Sequence, residues 1–290
     1  MKKKSVKNSI SKKTAWSLIL AVKKAYHQIS NNQNKVSFAI QIRGAKYSFT
    51  YDILNRKVLK KSFELNKCCS DYLDLYLPII LNDSESPYII AHLAQTLDGF
   101  IATNSGESKY ISSEDNLEHI HMLRGISDII LVGSHTVSLD NPRLTTRLVK
   151  GPSPMRLILD KSNSLNKKFH VFKNKDNNGY KIISDNIKCN ADNIFQLPLV
   201  KDYFDLKDVI NLMTKLNKKI IFIEGGGKTV SSFLNNNLLN KLHLCVSPII
   251  IGKGRSSFIL EKKIRMNDVN DYKINHYKMG NDILLDLDLS

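Results

Sequence analysis

Acidic side chains are scarce in this chain: 27 Asp and Glu stand against 43 Lys and Arg, which leaves a formal charge of +16. A surplus of that size raises the question of a polyanionic partner, nucleic acid or an anionic membrane surface. The distribution argues against one. The lysines are scattered among asparagines and isoleucines along the whole length, whereas a nucleic-acid face concentrates Lys and Arg with interleaved aromatics. Only Lys2, Lys3, Lys4, Lys7, Lys12 and Lys13 form a run, and it reads as a solvated tail. Long apolar runs are also missing. Ala15 to Val22 is too short to span a bilayer and lacks the small residues of a signal cleavage site, so no membrane partner is expected. Cysteine is sparse: Cys68, Cys69, Cys189 and Cys245 include no CxxC pair and no metal-ligand spacing. That pattern predicts reduced thiols, a cytoplasmic chain and no metal.

What is present divides in two. Residues 1–86 predict a small α+β module: a helix over 11–29, capped by Ser11 or Thr14, then a hairpin in which Val36, Phe38, Ile40 and Ile42 alternate before the turn Arg43-Gly44-Ala45-Lys46 and Tyr47, Phe49 and Tyr51 alternate after it. An amphipathic piece, Tyr72 to Leu81, precedes a polar linker. The segment has no histidine-glutamate pair followed by a cysteine pair, so the zinc-deaminase signature is absent from it. A packing or dimerisation module is the expectation.

From Pro87 the pattern turns to buried strands alternating with helices. Strands are predicted over 88–94, 129–132, 155–159, 181–183, 220–223 and 242–246, and helices over 114–123, 206–216 and 230–234. This order predicts an α/β domain over 87–290, a mostly parallel sheet with helices on both faces. Met279-Gly280-Asn281-Asp282 between two apolar runs adds an antiparallel C-terminal hairpin. The Lys- and Asn-rich run 163–178 reads as an exposed excursion.

One stretch could carry chemistry on its own pattern. Ile220 to Ile223 is a buried strand that runs into Glu224-Gly225-Gly226-Gly227-Lys228-Thr229-Val230, with Thr229 or Ser231 able to cap the helix that follows. Glycines let backbone N–H groups approach a phosphate, and the helix start favours negative charge. The P-loop pattern fails at Phe222 and the GxGxxG pattern at Val230, so a plain strand-to-helix turn stands beside the phosphate cradle. Other residues have plain readings too. Ser112 with Asp115 suits a helix start, Arg124 with Gly125 suits a helix end, and His119 and His121, two apart on a helix, face opposite ways and do not share a metal.

The ordered set of motifs decides more than any one of them. Thr96-Leu97-Asp98-Gly99, Ser105-Gly106-Glu107-Ser108, Leu123-Arg124, Gly133 with Thr136-Val137, Asp140-Asn141-Pro142 with Leu144-Thr145 and Arg147, Arg156 with Asp160, Glu224-Gly225-Gly226, and Pro248 with Gly252 follow one another in the chain. In these the chain resembles the reductase domain of bifunctional riboflavin-biosynthesis proteins, the 5-amino-6-(5-phosphoribosylamino)uracil reductase family, with its dihydrofolate-reductase-like fold. The resemblance covers about residues 87–290.

It implies reduction of a ribosyl group to ribityl by NADPH on a phosphorylated pyrimidine, in a homodimer. It places Ser108, Arg124, Leu144, Arg147 and Glu224 at the substrate. Gln95, Tyr110, Thr136, Asp140, Lys161 and the run Gly226, Gly227, Lys228, Thr229, Val230, Ser231 and Ser232 it places at the cofactor. Glu224, Asp140 and His92 are the candidates for charge stabilisation or proton transfer. Arg124 and Arg147 carry planar forks suited to a phosphate. The chain departs from the family pattern at His92, where a lysine is common, at Gln95, Phe100, Tyr110 and Lys161. Those departures leave two alternatives: a reductase of another pteridine-like or nucleotide-derived substrate, and a non-catalytic nucleotide-binding protein.

Overall fold

The structure, a computed structural model, describes residues 9–26, 34–82, 86–109, 111–173, 178–260 and 271–289. Its contacts divide into two compact units, Met1–Glu85 and Ser86–Ser290.

The first unit opens with helix α1 (Lys12–Tyr26), which buries Ala15, Trp16, Leu18, Ile19 and Val22 along one face. Ser11 Oγ accepts from Thr14 N at 3.2 Å and so begins the helix. The expected hairpin is β1 (Lys35–Ile42) and β2 (Ala45–Asp52), in register from Lys35↔Asp52 to Ile42↔Ala45. Its turn is shorter than the four residues read from the sequence. Arg43 and Gly44 alone form it, both at positive φ (50° and 84°), the two-residue geometry that matches strand twist. A third strand, β3 (Lys57–Lys61), pairs with β2, and α2 (Lys67–Ile80) follows, its Asn66 cap accepting from Cys69 N at 2.9 Å. Trp16 packs edge-on against Tyr76.

The second unit runs β4 (Tyr88–Thr96), β5 (Phe100–Thr103), α3 (Glu114–Ile126), β6 (Ile129–Gly133), α4 (Ser134–Asp140), β7 (Met155–Leu159), β8 (Gly179–Ser184) and β9 (Ile194–Leu197). It continues with β10 (Leu199–Val200), β11 (Tyr203–Phe204), α5 (Leu206–Lys215), β12 (Ile220–Glu224), α6 (Gly227–Asn235), β13 (Lys241–Ser247), β14 (Gly254–Ser256), β15 (Ile274–Met279) and β16 (Asp282–Asp288). Nine of these strands make one sheet in the order β15-β16-β13-β4-β12-β6-β7-β8-β9. Every pairing from β13 to β9 is parallel, and β16 and β15 join antiparallel at the edge. The fold class and the C-terminal hairpin are those expected from the sequence.

The two faces of the sheet differ. Ile89, Ala91, Leu93, Leu131, Leu157, Ile221, Ile223 and Leu242 point to one side and form an apolar core with Val209 and Met213 of α5 and Val230 and Phe233 of α6. Alternate residues point the other way. There the register sets Glu224 beside His92, His92 beside His243, and His243 beside Asp286, across four neighbouring strands. The row is buried, apart from Glu224 at its end. Asp286 Oδ1 lies 2.5 Å from Lys241 Nζ and 3.2 Å from His243 Nε2, and His243 Nδ1 lies 3.0 Å from His119 Nε2 of α3.

The 163–178 excursion is a correction. It is tied down rather than exposed throughout: Leu165 and Val171 are buried. The fully buried Asp160 carboxylate accepts from Ser164 N, Ser164 Oγ and Leu165 N at 2.9–3.0 Å, and Arg156 Nε donates to Val171 O at 3.1 Å. Residues 174–177 of that run lie outside the described residues.

Burial works against the Asp286 carboxylate, but the adjacent His243 ring and the charge of Lys241 overcome it and hold its pKa below the usual range. With the folded-state pKa lowered, the contribution to stability is complete above about pH 4 and fades as pH falls toward the folded value. Asp286→Asn is expected to cost about 3 kcal/mol near neutral pH, since it strands the Lys241 ammonium. The gap to wild type is expected to shrink in acid. Urea denaturation at neutral pH and below pH 4 measures both, and equal stability at neutral pH would remove Asp286 from this role.

Candidate functional site

The parallel strands end together, and the loops beyond their carboxyl ends hold most of the expected residues. Glu224 closes β12. Arg124, in the last turn of α3, meets it with two parallel bonds: Nε donates to Oε2 at 2.8 Å, and Nη2 pairs with Oε1. The side chains are 9% and 19% exposed, so the pair is partly desolvated and firmly oriented. The helix-end reading of Arg124 is overtaken by this pair. The helix itself runs to Ile126, and Ser127 N bonds back to Leu123 O. Its cap is Ser113, not Ser112: Ser113 Oγ accepts from Asn116 N at 3.3 Å.

Arg124 Nη1 donates to Thr145 O at 3.1 Å, and Arg147 Nη1 donates to the same carbonyl at 3.2 Å and to Thr145 Oγ1 at 2.9 Å. Leu144, just before, is buried and held at φ 53°, a left-handed conformation that costs a non-glycine residue roughly 1–2 kcal/mol. Burial and the charges of Arg124 and Arg143 push the Arg147 pKa down. Two guanidiniums, Arg124 and Arg147, thus share one carbonyl, and Arg143 adds a third positive charge near Arg147, a setting that favours an incoming anion.

Behind Glu224 the chain turns through Gly225 and Gly226 into α6. The helix begins at Gly227, with Gly226 as a cap that makes no side-chain bond. Thr229 and Ser231 therefore lie inside the helix rather than at its cap. Ser231 Oγ accepts from Ile259 N at 2.8 Å, Val230 is in the apolar core, and Lys228 and Ser232 are exposed. Gly226 N donates to Thr136 Oγ1 of α4 at 3.2 Å. A Cβ at Gly226 would stand 3.3 Å from that oxygen, and one at Gly133 would stand 3.1 Å from Thr229 Oγ1. The loops after β6 and β12 are packed glycine against threonine.

Asp98 has a structural task. It accepts from Thr96 Oγ1 at 2.6 Å and from Gly252 N at 2.7 Å, which joins the turn after β4 to the 251–252 loop. Asp140 is exposed at the end of α4, and its pKa is raised by desolvation against the pull of Arg255 and His135. Sequence reasoning passed over Arg255. A Cβ at Gly106 would come within 2.8 Å of its Nη2, so its fork lies across the Ser105–Ser108 loop. Its one sequence signal is the glycine on either side of Lys253.

His92 is buried, donates from Nε2 to Asn116 Oδ1 at 2.9 Å, and is pushed down to a pKa of about 4 by burial. It is a neutral ring next to Glu224 on the sheet, not one that changes charge near neutral pH. Gln95 stands near the end of β4 with a buried Oε1 that has no hydrogen-bond partner among the described residues. Lys161 is paired with Asp202 and lies over the Tyr203 ring at 5.4 Å. Ser108 is exposed in the loop after β5, its carbonyl accepting from Ile111 N. Tyr110 lies outside the described residues. Among the described residues no group of three His, Cys, Asp or Glu is placed to hold a metal, and no helix is long and apolar enough to cross a membrane.

Residues 87–285 match the family model of the RibD C-terminal domain. The chain belongs to that family. A RibD riboflavin biosynthesis protein from Aquifex aeolicus is 33% identical over 177 residues, 59% of this chain and 49% of that protein. The chain thus spans about half the length of that relative. A 2,5-diamino-6-ribosylamino-4(3H)-pyrimidinone 5′-phosphate reductase from Methanothermobacter thermautotrophicus is 28% identical over 214 residues, 69% of this chain and 97% of that protein. Among solved structures, RibD of Acinetobacter baumannii superposes with a TM-score of 0.63 at 23% identity, covering 76% of this chain and 63% of that one. The RibD C-terminal match begins just before β4 and ends within β16, so it takes in all of the nine-stranded sheet except the end of β16.

The close contact at Gly227 offers a test of this loop. A Cβ there would stand 2.3 Å from Ser257 O and 3.0 Å from Ser256 O, backbone atoms that cannot swing aside. Gly227→Ala is expected to push the 256–257 segment off α6 and to cost about 2 kcal/mol. Urea denaturation measures the cost, and a stability equal to wild type would show that the segment moves freely.

Proposed function

We propose that this chain is an NADPH-dependent reductase that converts the ribosyl group of 5-amino-6-(5-phosphoribosylamino)uracil to ribityl. The observation that carries the reading is the Arg124–Glu224 pair, with Arg147 beside it, at the end of the glycine loop. The family membership supports the reaction class.

The residues suit the cofactor. The chain turns through Gly225 and Gly226 straight into α6, and a helix N-terminus favours the negative charge of a diphosphate. The unpartnered Gln95 oxygen is an acceptor for an amide N–H such as that of a nicotinamide carboxamide. When bound, the cofactor supplies one hydride to the electrophilic sugar carbon, and a proton completes the reduction of the opened imine. Lys161, already paired with Asp202, would meet a 2′-phosphate only by exchanging that partner.

The chain's own groups divide the remaining work. Arg124 has Nε, Nη1 and Nη2 engaged, so its main task is to aim Glu224. Arg147, more exposed, is the better donor to the substrate phosphate. Glu224, aimed by its bidentate partner, stabilises positive charge as it develops on the imine. His92 stays neutral beside it and holds α3 through Asn116. Leu144 is packed inward, and its contribution is the turn that brings Thr145 O to both arginines. A homodimer in the cytoplasm is part of the same proposal, and the four free thiols agree with a reducing compartment.

A second substrate has an observation in its favour. The Methanothermobacter relative, nearly all of which this chain covers, is named for reducing the 2,5-diamino pyrimidinone, the form that still carries the amino group. Incubating the purified full chain with NADPH and each pyrimidine in turn decides between them. Oxidation of NADPH with one or both is expected. Glu224→Gln is expected to lower kcat roughly a hundredfold with a smaller change in KM. No oxidation with either substrate, next to an active control enzyme, would overturn the proposal.

A further inference from the structure

His121 was legible in the sequence only as one of two histidines unable to share a metal. In the fold, His119 turns to the sheet and His121 turns to the 145–148 segment. Its Nδ1 lies 2.8 Å from Arg147 N and 3.3 Å from Leu148 N. Both are backbone donors, so Nδ1 is the acceptor and carries no proton. The single proton of the neutral ring then sits on Nε2. Nε2 in turn lies 3.3 Å from Arg124 Nη1. With that tautomer the contact sets donor against donor, and Nη1 bonds instead to Thr145 O at 3.1 Å.

We propose that His121, neutral and protonated on Nε2, is a positioning residue that locks the 145–148 segment onto α3 and so sets Arg147 beside Arg124 at the anion end of the site. The proposal rests on the reductase reading for the identity of that anion, the substrate phosphate. The lock itself rests on the geometry.

The surroundings keep the lock closed. The ring is 5% exposed. Arg124 faces it from α3, Arg147 from the segment it holds, and Glu224 from β12. A second proton would place N–H against two backbone N–H groups and a third positive charge beside two guanidiniums, with one carboxylate in opposition. Burial, then the two arginines, push the His121 pKa down to about 4, so the acceptor persists across the neutral range.

Two substitutions separate a lock from mere packing. His121→Asn places Oδ1 near the position of Nδ1 and can accept both amides, whereas His121→Leu fills the space better but accepts nothing. In the full chain, His121→Leu is expected to raise KM for the phosphorylated substrate roughly tenfold or more, with kcat changed less than about threefold. His121→Asn is expected to stay within about threefold of wild type in both. A packing residue would rank the two in the opposite order; that order, or an unchanged KM in His121→Leu, would overturn the proposal. A second measurement does not depend on turnover. In the ¹⁵N-histidine-labelled chain, the ring signal missing from His121→Asn is expected to show an Nε2–H tautomer that does not change charge between about pH 7 and pH 5. An Nδ1–H tautomer, or titration near about pH 6.5, would overturn the lock. Absence of turnover alongside the expected tautomer would sink the reductase reading and leave the lock standing.

Discussion

An arginine cannot sit at the buried end of a helix without a counter-charge, and here the counter-charge is the last residue of a central strand. The Arg124–Glu224 pair is the constraint on which the rest of the site depends. It fixes the rotation of α3 over the sheet, because the guanidinium reaches Glu224 only from one face of the helix. It also leaves Nη1 free for Thr145 O, which draws the 145–148 segment in. Helix, strand and loop are thereby joined through one planar group with bonds running in three directions. Moving any of the three breaks a charge-assisted bond in a partly desolvated setting, where a stranded charge costs several kcal/mol.

Beneath that pair the sheet presents two unlike faces. Toward α5 and α6 it is apolar, and packing alone decides the geometry. Toward α3 the row Glu224, His92, His243 and Asp286 crosses four strands, and each member must find a hydrogen-bonding partner or leave a costly buried polar group. Apolar packing tolerates small slips, but paired polar groups tolerate few. The polar face thus ties β16 to β13 through Asp286 and ties α3 to the same row through His119, which carries the order of the site outward toward the end of the chain.

Much of this was legible before the structure, and what was not has physical reasons. A run such as Ile220–Ile223 declares a buried parallel strand because both of its faces meet apolar neighbours. The spacing of Asp98 and Gly252 in the family motifs hid a direct bond between them. Short pieces were missed: β5 and β14 are four and three residues long and exist by pairing with each other across 150 residues of chain, so neither shows a local period. Leu165 and Val171 are isolated apolar residues in a polar run, and only the buried Asp160 and Arg156 turn that run inward. His121 escaped notice for another reason. Its partners are backbone amides, which every residue carries and which leave no mark in a sequence.

The left-handed turn at Leu144 bears on how this site can change over time. Glycine would adopt that backbone without strain, yet the position holds a large residue whose side chain is buried. Backbone ease and side-chain packing therefore pull the choice of residue in opposite directions, and a single exchange gives up one to gain the other. Most exchanges at such a position cost stability even though it need never touch a ligand. The freedom to retune the pocket is left to the exposed neighbours, Arg143, Arg147 and the loop around Ser108, where altered contacts leave the turn itself intact.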